Sequence, residues 1–305
     1  MMEFTIEQKI ITTILGSVLL MTILVDIGLF LAWTLRRDAE LAGVRPPLFA
    51  PRWSLVDVWI AGQLIVVVMI ALFLAAFIAS IGAGFIKMSS LLAAQSGRFD
   101  TSFLWITALS LFPQNLLLVL VPAWFITRKY GVSLTRIGLM PLPRARDWRI
   151  GLVAGIAVMV LGFGMEKLIT ALAAKMLSPA MLQVLTNLTK QLGNEQFLRE
   201  GISSPVLFLL LLVGGGICAP IGEEFFFRGF LYNAAKRRLG ILGGTLLSAV
   251  VFGVIHGGPF QILGIIPMGI LLAVMYERTR SLWVPMIMHA FNNTVGLILL
   301  YLRIV

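Results

Sequence analysis

The sequence predicts an all-α protein, a polytopic membrane helix bundle of about eight transmembrane helices. Hydrophobic residues make up 59% of the chain and charged residues 12%, and the mean hydropathy is +0.97. Soluble domains average about 25% charged residues, so this composition indicates an integral membrane protein. The 305 residues are enough for one bundle and leave no large soluble domain over.

Eight apolar runs are long enough to cross a bilayer, which takes about 20 residues of helix. Segments rich in Pro, Gly and basic residues separate them. The first run is too long for the apolar part of a signal peptide, and no small-residue cleavage site follows it, so we expect it to remain as a span. The approximate bounds are 10–33, 56–86, 103–127, 150–172, 205–232, 241–256, 260–276 and 282–302.

The distribution of positive charge predicts the topology. The formal net charge of +10 would suit a nucleic-acid-binding protein, but the basic residues cluster in loops between apolar runs. With eight spans, four loops on one side hold fifteen of the 24 lysines and arginines. Cytoplasmic loops carry such an excess, so we expect these loops in the cytoplasm, both termini outside, and no nucleic-acid partner.

An acidic motif interrupts the fifth apolar run. Residues 222–229 read Gly-Glu-Glu-Phe-Phe-Phe-Arg-Gly, although a charge at the bilayer centre costs roughly 2.5–3.5 kcal/mol. Residues four apart share a helix face, so we expect Glu224 to pair with Arg228. Glu223 points about 100° away from that pair and has no local partner. An unpaired carboxylate in this environment suits a proton acceptor.

Both histidines of the chain fall in the same third as the acidic motif. His256 ends the sixth run, one helical turn after Phe252, and His289 lies one turn before Asn293 in the eighth run. Three helices could therefore each offer polar groups to one site, namely Glu223, then His256, then His289 with Asn293. Helix rise leaves a depth mismatch between the fifth and eighth spans, so either the eighth tilts or the fifth extends into the cytoplasm.

These side chains suit hydrolysis without a covalent intermediate. A carboxylate and a histidine can hold and deprotonate a water, and a histidine with an asparagine amide can donate hydrogen bonds to an oxyanion. Alternatively, Glu223, His256 and His289 could bind zinc. The chain has neither a His-Glu-x-x-His motif nor a Gly-x-Ser-x-Gly motif. The single cysteine, Cys218, is more simply read as a small buried hydrophobe than as a nucleophile.

Three motifs carry a family resemblance. In order along the chain they are Glu-Glu-x-x-x-Arg, Phe-x-x-x-His and His-x-x-x-Asn. This pattern resembles the CAAX-protease and bacteriocin-processing (CPBP, or Abi) family of intramembrane endopeptidases, which includes the type II CAAX prenyl endopeptidase. The resemblance covers residues 204–296, where Gly269, Thr279, Ser281 and Pro285 also match the usual spacing. The first 200 residues match no motif that we can name.

The resemblance implies a role for each motif residue. Glu223 would activate the water with help from His256, while His289 and Asn293 would form the oxyanion pocket. Three residues would support the site, namely Glu224, Arg228 and Phe252. The resemblance implies a glutamate-dependent mechanism with no cofactor, and zinc is the alternative.

The predicted organisation follows from these motifs. Residues 1–149 would form three transmembrane helices and basic loops of unassigned function, and residues 150–305 the catalytic membrane core. We expect an intramembrane endopeptidase in the plasma membrane of a prokaryote, with its site facing the cytoplasm. CAAX-type tails, small bacterial peptides or membrane proteins would enter between helices from the lipid bilayer. The alternatives are a non-catalytic membrane partner or immunity factor, and a proton-coupled transporter.

Overall fold

Helices account for nearly all of the residues that the computed structural model describes, which are 52–82, 101–192, 195–202 and 204–304. No strand occurs in these ranges, and the predicted all-α fold class is confirmed. The predicted first span, 10–33, and the basic residues Arg36, Arg37 and Arg45 lie outside the described residues.

The helices continue one another along the chain with few breaks. In chain order they are α1 (Leu55–Gly82), α2 (Thr101–Trp124), α3 (Ala145–Met176), α4 (Pro179–Leu192), α5 (Glu195–Gly201), α6 (Pro205–Val213), α7 (Ala219–Glu224), α8 (Asn233–Val254), α9 (Pro259–Thr279) and α10 (Trp283–Tyr301). Segments of π-helix extend them at Phe125–Lys129, Gly214–Cys218 and Phe225–Tyr232, and Leu134–Ile137 is a 3₁₀ turn.

Six helical stretches within the described residues are long and apolar enough to cross a membrane. They are Leu55–Ser80, Phe103–Lys129, Ala145–Met176, Pro205–Val254, Pro259–Thr279 and Trp283–Tyr301. Each predicted span from the second to the eighth has a helix here. The total of about eight stays a prediction, because the first span lies outside the described residues.

The longest of these stretches contains two predicted spans. Pro205–Val254 has 50 residues, and its helix breaks at Gly240, where φ is 71° and ψ is −176°. Glycine adopts positive φ at little cost. A Cβ at Gly244 would lie 2.9 Å from the backbone nitrogen of Lys236, eight residues earlier. This short distance shows that the chain reverses at Gly240. The predicted fifth and sixth spans are therefore the two limbs of a helical hairpin with its tip at Gly240.

The described parts of the four basic loops meet at one end of the bundle, which we call the basic end. Arg52 Nη1 donates to the carbonyl oxygen of Tyr130 at 3.3 Å. Leu282 N donates to the carbonyl oxygen of Gly138 at 3.0 Å. The Lys236 ammonium pairs with Glu277 at 2.6 Å. These contacts agree with the single-sided arrangement that the charge pattern predicts. That this side is cytoplasmic, with both termini outside, stays a prediction.

The π-helical segment Phe225–Tyr232 runs through the centre of the hydrophobic core, and all eight of its residues are buried. Trp53, Phe252 and Tyr276 pack around it from other parts of the chain. Among the most apolar 18 residues of each stretch, 39% are buried in Pro205–Val254 and in Trp283–Tyr301, against 11% in Leu55–Ser80. The motif-bearing helices are thus central, and α1 is peripheral.

Residues 51–305 form one compact unit. Helices on both sides of the predicted boundary at 149/150 contribute to its core, which contains Trp53 and Phe125 as well as Phe230 and Phe252. A separate function for residues 1–149 stays a prediction.

Candidate active site

The helix that carries the acidic motif is distorted before and after its two glutamates. The α-helical turn of α7 lies between the π-helical segments Gly214–Cys218 and Phe225–Tyr232. Pro220 has no N–H and cannot donate to the carbonyl of Gly216, four residues earlier. Wider π turns of this kind occur often at functional sites. The distortion leaves backbone carbonyls that need other donors.

The first π segment supplies two such carbonyls to the last helix. Asn293 Nδ2 donates to the carbonyl oxygen of Gly215, and Thr294 Oγ1 donates to that of Gly216, both at 3.2 Å. Two consecutive side chains of α10 therefore bind two consecutive carbonyls of the motif helix. These bonds set the depth of α10 relative to α7.

The second π segment receives donors on four successive carbonyls. Asn233 Nδ2 donates to the carbonyl oxygens of Arg228 and Gly229 at 3.0 and 2.9 Å. Ser248 Oγ donates to that of Phe227 at 3.2 Å, and Trp53 Nε1 to that of Phe230 at 2.9 Å. Buried carbonyls are nearly always bonded, so these side chains are part of what makes the distortion stable.

Glu224 and Arg228 form the ion pair that the spacing predicts. Arg228 Nη1 lies 2.8 Å from Glu224 Oε1, and both side chains are fully buried. Arg228 Nη2 also donates to the carbonyl oxygen of Gly269 at 3.0 Å. His289 Nδ1 lies 2.9 Å from the same Glu224 oxygen. Because a carboxylate only accepts, Nδ1 carries the proton of that bond and Nε2 is left for other contacts.

Glu223 faces both histidines. Its Oε2 atom lies 3.5 Å from His256 Nε2 and 3.8 Å from His289 Nε2. These are ion-pair distances, longer than a direct hydrogen bond. Glu223 Oε2 is buried and has no hydrogen-bond partner in the described part of the chain. The expectation that Glu223 lacks a partner on its own helix agrees with this geometry, since its neighbours come from other helices.

His256 lies in the turn between α8 and α9. Its Nδ1 atom is 2.6 Å from the carbonyl oxygen of Phe252 and donates to it, which leaves Nε2 facing Glu223. Burial disfavours a charged ring, but the neighbouring Glu223 carboxylate outweighs it and holds the pKa of His256 above its usual value. The side chain is 25% exposed, against 3% for His289. His256 is therefore the more accessible of the two histidines.

Phe252 contacts three of the candidate residues. Its ring centroid is 4.4 Å from the His256 ring and 5.6 Å from the His289 ring, which it meets edge-on. The Arg228 guanidinium lies over its face at 4.5 Å, within the range of a cation–π contact. Phe252 thus separates the two imidazoles and covers the buried pair.

The structure brings six of the seven candidate residues into mutual contact. The seventh, Asn293, directs its Nδ2 atom to Gly215, and its Oδ1 atom lies 3.5 Å from Nδ2 of Asn292. An amide has two N–H donors, so one remains for a ligand. The family-derived role of Asn293 stays a prediction.

Contacts of Gly229 fix the depth of the motif helix relative to α10. A Cβ at Gly229 would lie 3.2 Å from Ile137 Cδ1 and 3.4 Å from Leu282 Cδ2. Gly229 is therefore level with the start of α10, and the hairpin beyond it extends past that level. The hairpin therefore continues past the start of α10, and extension of the fifth span into the cytoplasm stays a prediction. His289 then lies only about 9 Å along α10 from Trp283.

The zinc alternative has limited geometric support. In the ranges that the structure describes, no group of three or more His, Cys, Asp or Glu side chains is arranged to hold a metal ion. The candidate donors Glu223, His256 and His289 come from three helical segments, and the bond from His289 Nδ1 to Glu224 would leave Nε2 to a metal, so zinc stays the alternative. We derive no step through a metal.

Several supporting contacts join residues that are far apart in the sequence. A Cβ at Gly222 would lie 2.8 Å from the carbonyl oxygen of Asn115 on α2, and Asn115 is buried. Phe260 N, in the first turn of α9, donates to Thr189 Oγ1 on α4 at 3.3 Å. Such contacts join residues about 70 to 110 positions apart, where local spacing predicts nothing.

Comparison with known proteins identifies the segment that holds the site. Residues 205–295 match the family model described as type II CAAX prenyl endopeptidase Rce1-like. We call residues 205–295 the Rce1-like segment after this similarity. The Rce1-like segment contains all seven candidate residues, and the family resemblance predicted from the three motifs is confirmed over it. No solved structure matches the chain.

Two curated bacterial proteins are similar over part of the chain. The chain is 32% identical over 90 residues to "Putative membrane peptidase YdiL" of Bacillus subtilis, which covers 30% of this chain and 37% of that protein. It is 34% identical over 113 residues to "UPF0177 protein YaiF" of Lactococcus lactis, covering 36% and 50%. The chain thus matches half or less of the length of these relatives. The apolar helices and bacterial relatives indicate an integral membrane protein of a prokaryote.

Proposed function

We propose that this protein is an intramembrane endopeptidase in which Glu223 activates a water for attack on a peptide carbonyl. The observation that carries the proposal is the position of the Glu223 carboxylate. Its Oε2 atom is buried, has no hydrogen-bond partner among the described residues, and faces the Nε2 atoms of both histidines at 3.5 and 3.8 Å. A structural carboxylate in an apolar core would instead be paired, as Glu224 is.

Glu223 and His256 would act on the water together. Two atoms 3.5 Å apart can both hydrogen bond to one water molecule at ordinary lengths. The carboxylate accepts a proton from that water as the oxygen attacks. His256, held through Nδ1 by the Phe252 carbonyl, would take this proton from Glu223 on Nε2 and pass it to the leaving amine as the C–N bond breaks.

His289 and Asn293 would stabilise the oxyanion. Glu224 accepts a hydrogen bond from Nδ1 and so orients the His289 ring, and Nε2, when it carries a proton, can donate to developing negative charge. The second N–H of Asn293 is the other donor, provided that substrate reaches α10 one turn beyond His289. Phe252 would exclude bulk water from the pair behind it.

The substrate would be a peptide or membrane protein that enters between helices. The site lies about 9 Å along α10 from the basic end, so we place its opening on the cytoplasmic side. CAAX-type tails, small bacterial peptides and membrane proteins are the candidate substrates. The type II CAAX prenyl endopeptidase description of the matching family model favours a protease.

The test compares membranes that contain the native chain with membranes that contain Glu223→Gln. Mass spectrometry of membrane-protein and peptide termini should find cleavage products that the variant lacks. A peptide spanning such a site is then incubated with purified protein in detergent. We expect cleavage by the native chain and at least a hundredfold loss in Glu223→Gln, the usual scale for a general base.

The controls separate the alternatives. Cys218→Ala, five residues before Glu223, should cleave normally, and a loss of activity there would favour a thiol nucleophile. Activity that survives a chelator would argue against zinc. Full biological activity of Glu223→Gln would indicate a non-catalytic membrane partner or immunity factor. Solute uptake by proteoliposomes that depends on Glu223 would indicate a proton-coupled transporter.

A further inference from the structure

Three cationic side chains from separate parts of the chain meet at the basic end. Arg52 precedes α1, Lys129 ends the π segment after α2, and Arg237 lies at the hairpin tip of α8. Arg52 Nη1 donates to the carbonyl oxygen of Tyr130 at 3.3 Å, next to Lys129 in the chain. Arg237 Nη1 donates to the carbonyl oxygen of Arg52 at 3.4 Å. We call these three residues the cationic cluster.

The cluster rests on a built framework. Asp57 is buried and accepts from Ser54 N at 2.7 Å, from Tyr130 Oη at 2.7 Å and from Lys129 Nζ at 2.5 Å. Trp53 is fixed through its bond to the carbonyl of Phe230. The Lys129 ammonium also lies 5.1 and 5.2 Å from the Phe125 and Tyr130 ring centroids. Lys129 is thus held by the buried Asp57 carboxylate, and Arg52 and Arg237 each donate to a neighbouring backbone carbonyl.

The apolar surface around the cluster defines its depth in the membrane. Leu242, Leu246, Val250 and Val254 recur every four residues of α8 and are each at least 43% exposed. Such a continuous apolar stripe is stable facing lipid and not facing water. It begins at Leu242, five residues from Arg237 across the break at Gly240, so at most about 18 Å of chain separates the arginine from the stripe. Ile60 begins a similar exposed face on α1, eight residues from Arg52.

We propose that the cationic cluster binds the phosphodiester group of an anionic phospholipid. The planar guanidinium groups of Arg52 and Arg237 suit phosphate oxygens, and Lys129 adds a point charge. Leu239 and Ile241, exposed by 52% and 54% at the hairpin tip, would lie against the acyl chains. An acidic peptide would satisfy the charges but leave these side chains in water. The site is independent of Glu223 and of the proposed proteolysis.

The experiment uses the full chain purified in an uncharged detergent. Phosphatidylglycerol, phosphatidylcholine or inorganic phosphate is added, and the melting temperature and the lipid retained in native mass spectrometry are measured. We expect phosphatidylglycerol alone to raise the melting temperature and to remain bound. Arg52→Gln/Arg237→Gln should bind it about thirtyfold more weakly. This factor corresponds to about 2 kcal/mol, because each of the two basic residues contributes about half of it near an anionic lipid surface.

Matched variants make the result decisive. Lys175→Gln/Lys190→Gln removes the same charge from the far end of α3 and from α4, and should retain the native response. Arg237→Lys keeps the charge and should retain part of it. If the double arginine variant does not fold, single Arg237→Gln is measured, with a partial loss expected. An equal response to inorganic phosphate, or an unchanged response to phosphatidylglycerol in the arginine variants, would overturn the lipid site.

Discussion

The Rce1-like segment and the described helices before it use polar groups in different ways. In the Rce1-like segment, charged side chains bind one another, as in Glu224 with Arg228 and His289. The preceding helices have one charged pair of their own, Lys129 with Asp57, and contact the Rce1-like segment through its backbone, where Trp53 and Thr189 bind Phe230 and Phe260. Backbone groups are the same in every residue. The Rce1-like segment therefore needs particular side chains for its charged contacts. The helices before it need only a suitable shape and a hydrogen-bonding side chain where they contact its backbone.

The family match covers the first of these two regions and not the second. Residues 205–295 contain the side chains that must fit one another. The helices before them support that segment through contacts that many sequences could provide. The supporting role is nonetheless substantial, because Asn115 lies against Gly222, directly before Glu223.

The largest expected effect tests the two kinds of ion pair. Glu224→Ala should lower the free energy of unfolding by about 3–5 kcal/mol, because it leaves Arg228 buried and uncompensated. The pair in the preceding helices, Lys129 with Asp57, has its lysine side chain 41% exposed. Lys129→Ala should cost less, about 1–2 kcal/mol, because the buried Asp57 carboxylate keeps its bonds from Ser54 N and Tyr130 Oη. Thermal or denaturant unfolding in detergent measures both.

The comparison fails if the two variants unfold alike. Glu223→Gln is the matched control on the same helix, and it should leave stability nearly unchanged because its Oε2 atom has no hydrogen-bond partner. A loss as large as that of Glu224→Ala would mean that Glu223 also stabilises the fold.

A smaller effect tests the contact between the two regions at Gly222. Gly222→Ala would bring a methyl group to 2.8 Å from the Asn115 carbonyl oxygen and 3.1 Å from its Cα. Because both are backbone atoms, α2 and α7 must move apart, at a cost of about 1–3 kcal/mol. Unfolding measurements report the cost, and cleavage assays report any displacement of Glu223.

Gly264→Ala on α9 is the control for this substitution. A Cβ there meets nothing within 4 Å, and alanine favours a helix interior by about 0.5–1 kcal/mol over glycine. We expect Gly264→Ala to be neutral or stabilising. Equal destabilisation by both variants would show that helix packing at Gly222 has no special importance.

The smallest effect concerns Thr189. Its hydroxyl accepts from Phe260 N in the first turn of α9, where Gly258 precedes the helix and has no side chain to cap it. Thr189→Val should cost about 0.5–1.5 kcal/mol and raise hydrogen exchange in residues 256–261. Because His256 lies in that turn, cleavage should fall through kcat with KM unchanged.

Thr189→Ser is the rescue variant and should restore both exchange protection and kcat. If Thr189→Val leaves exchange at residues 256–261 unchanged, then α4 does not hold the His256 turn. A uniform rise in exchange across the bundle would instead indicate a general loss of packing.

The spacing of residues along the sequence predicts much of the fold and part of the site. The seven described spans follow from apolar runs, and the Glu224–Arg228 pair follows from residues four apart on one helix. The two histidines were assigned to one site because both occur close to the acidic motif. The bond between His289 and Glu224 could not be predicted, because it depends on which face of α10 meets α7, and at what depth.

By itself, the sequence determined the membrane character, the helices and the order of the three motifs, since these depend on composition and on neighbours within a few residues. The tertiary structure alone decided the π-helical distortion around Glu223, the gathering of the basic turns at one end, and the facing of Glu223 toward both imidazoles. Those features arise when helices distant in the chain pack together and satisfy one another's backbone carbonyls, and no local pattern encodes that choice of partner.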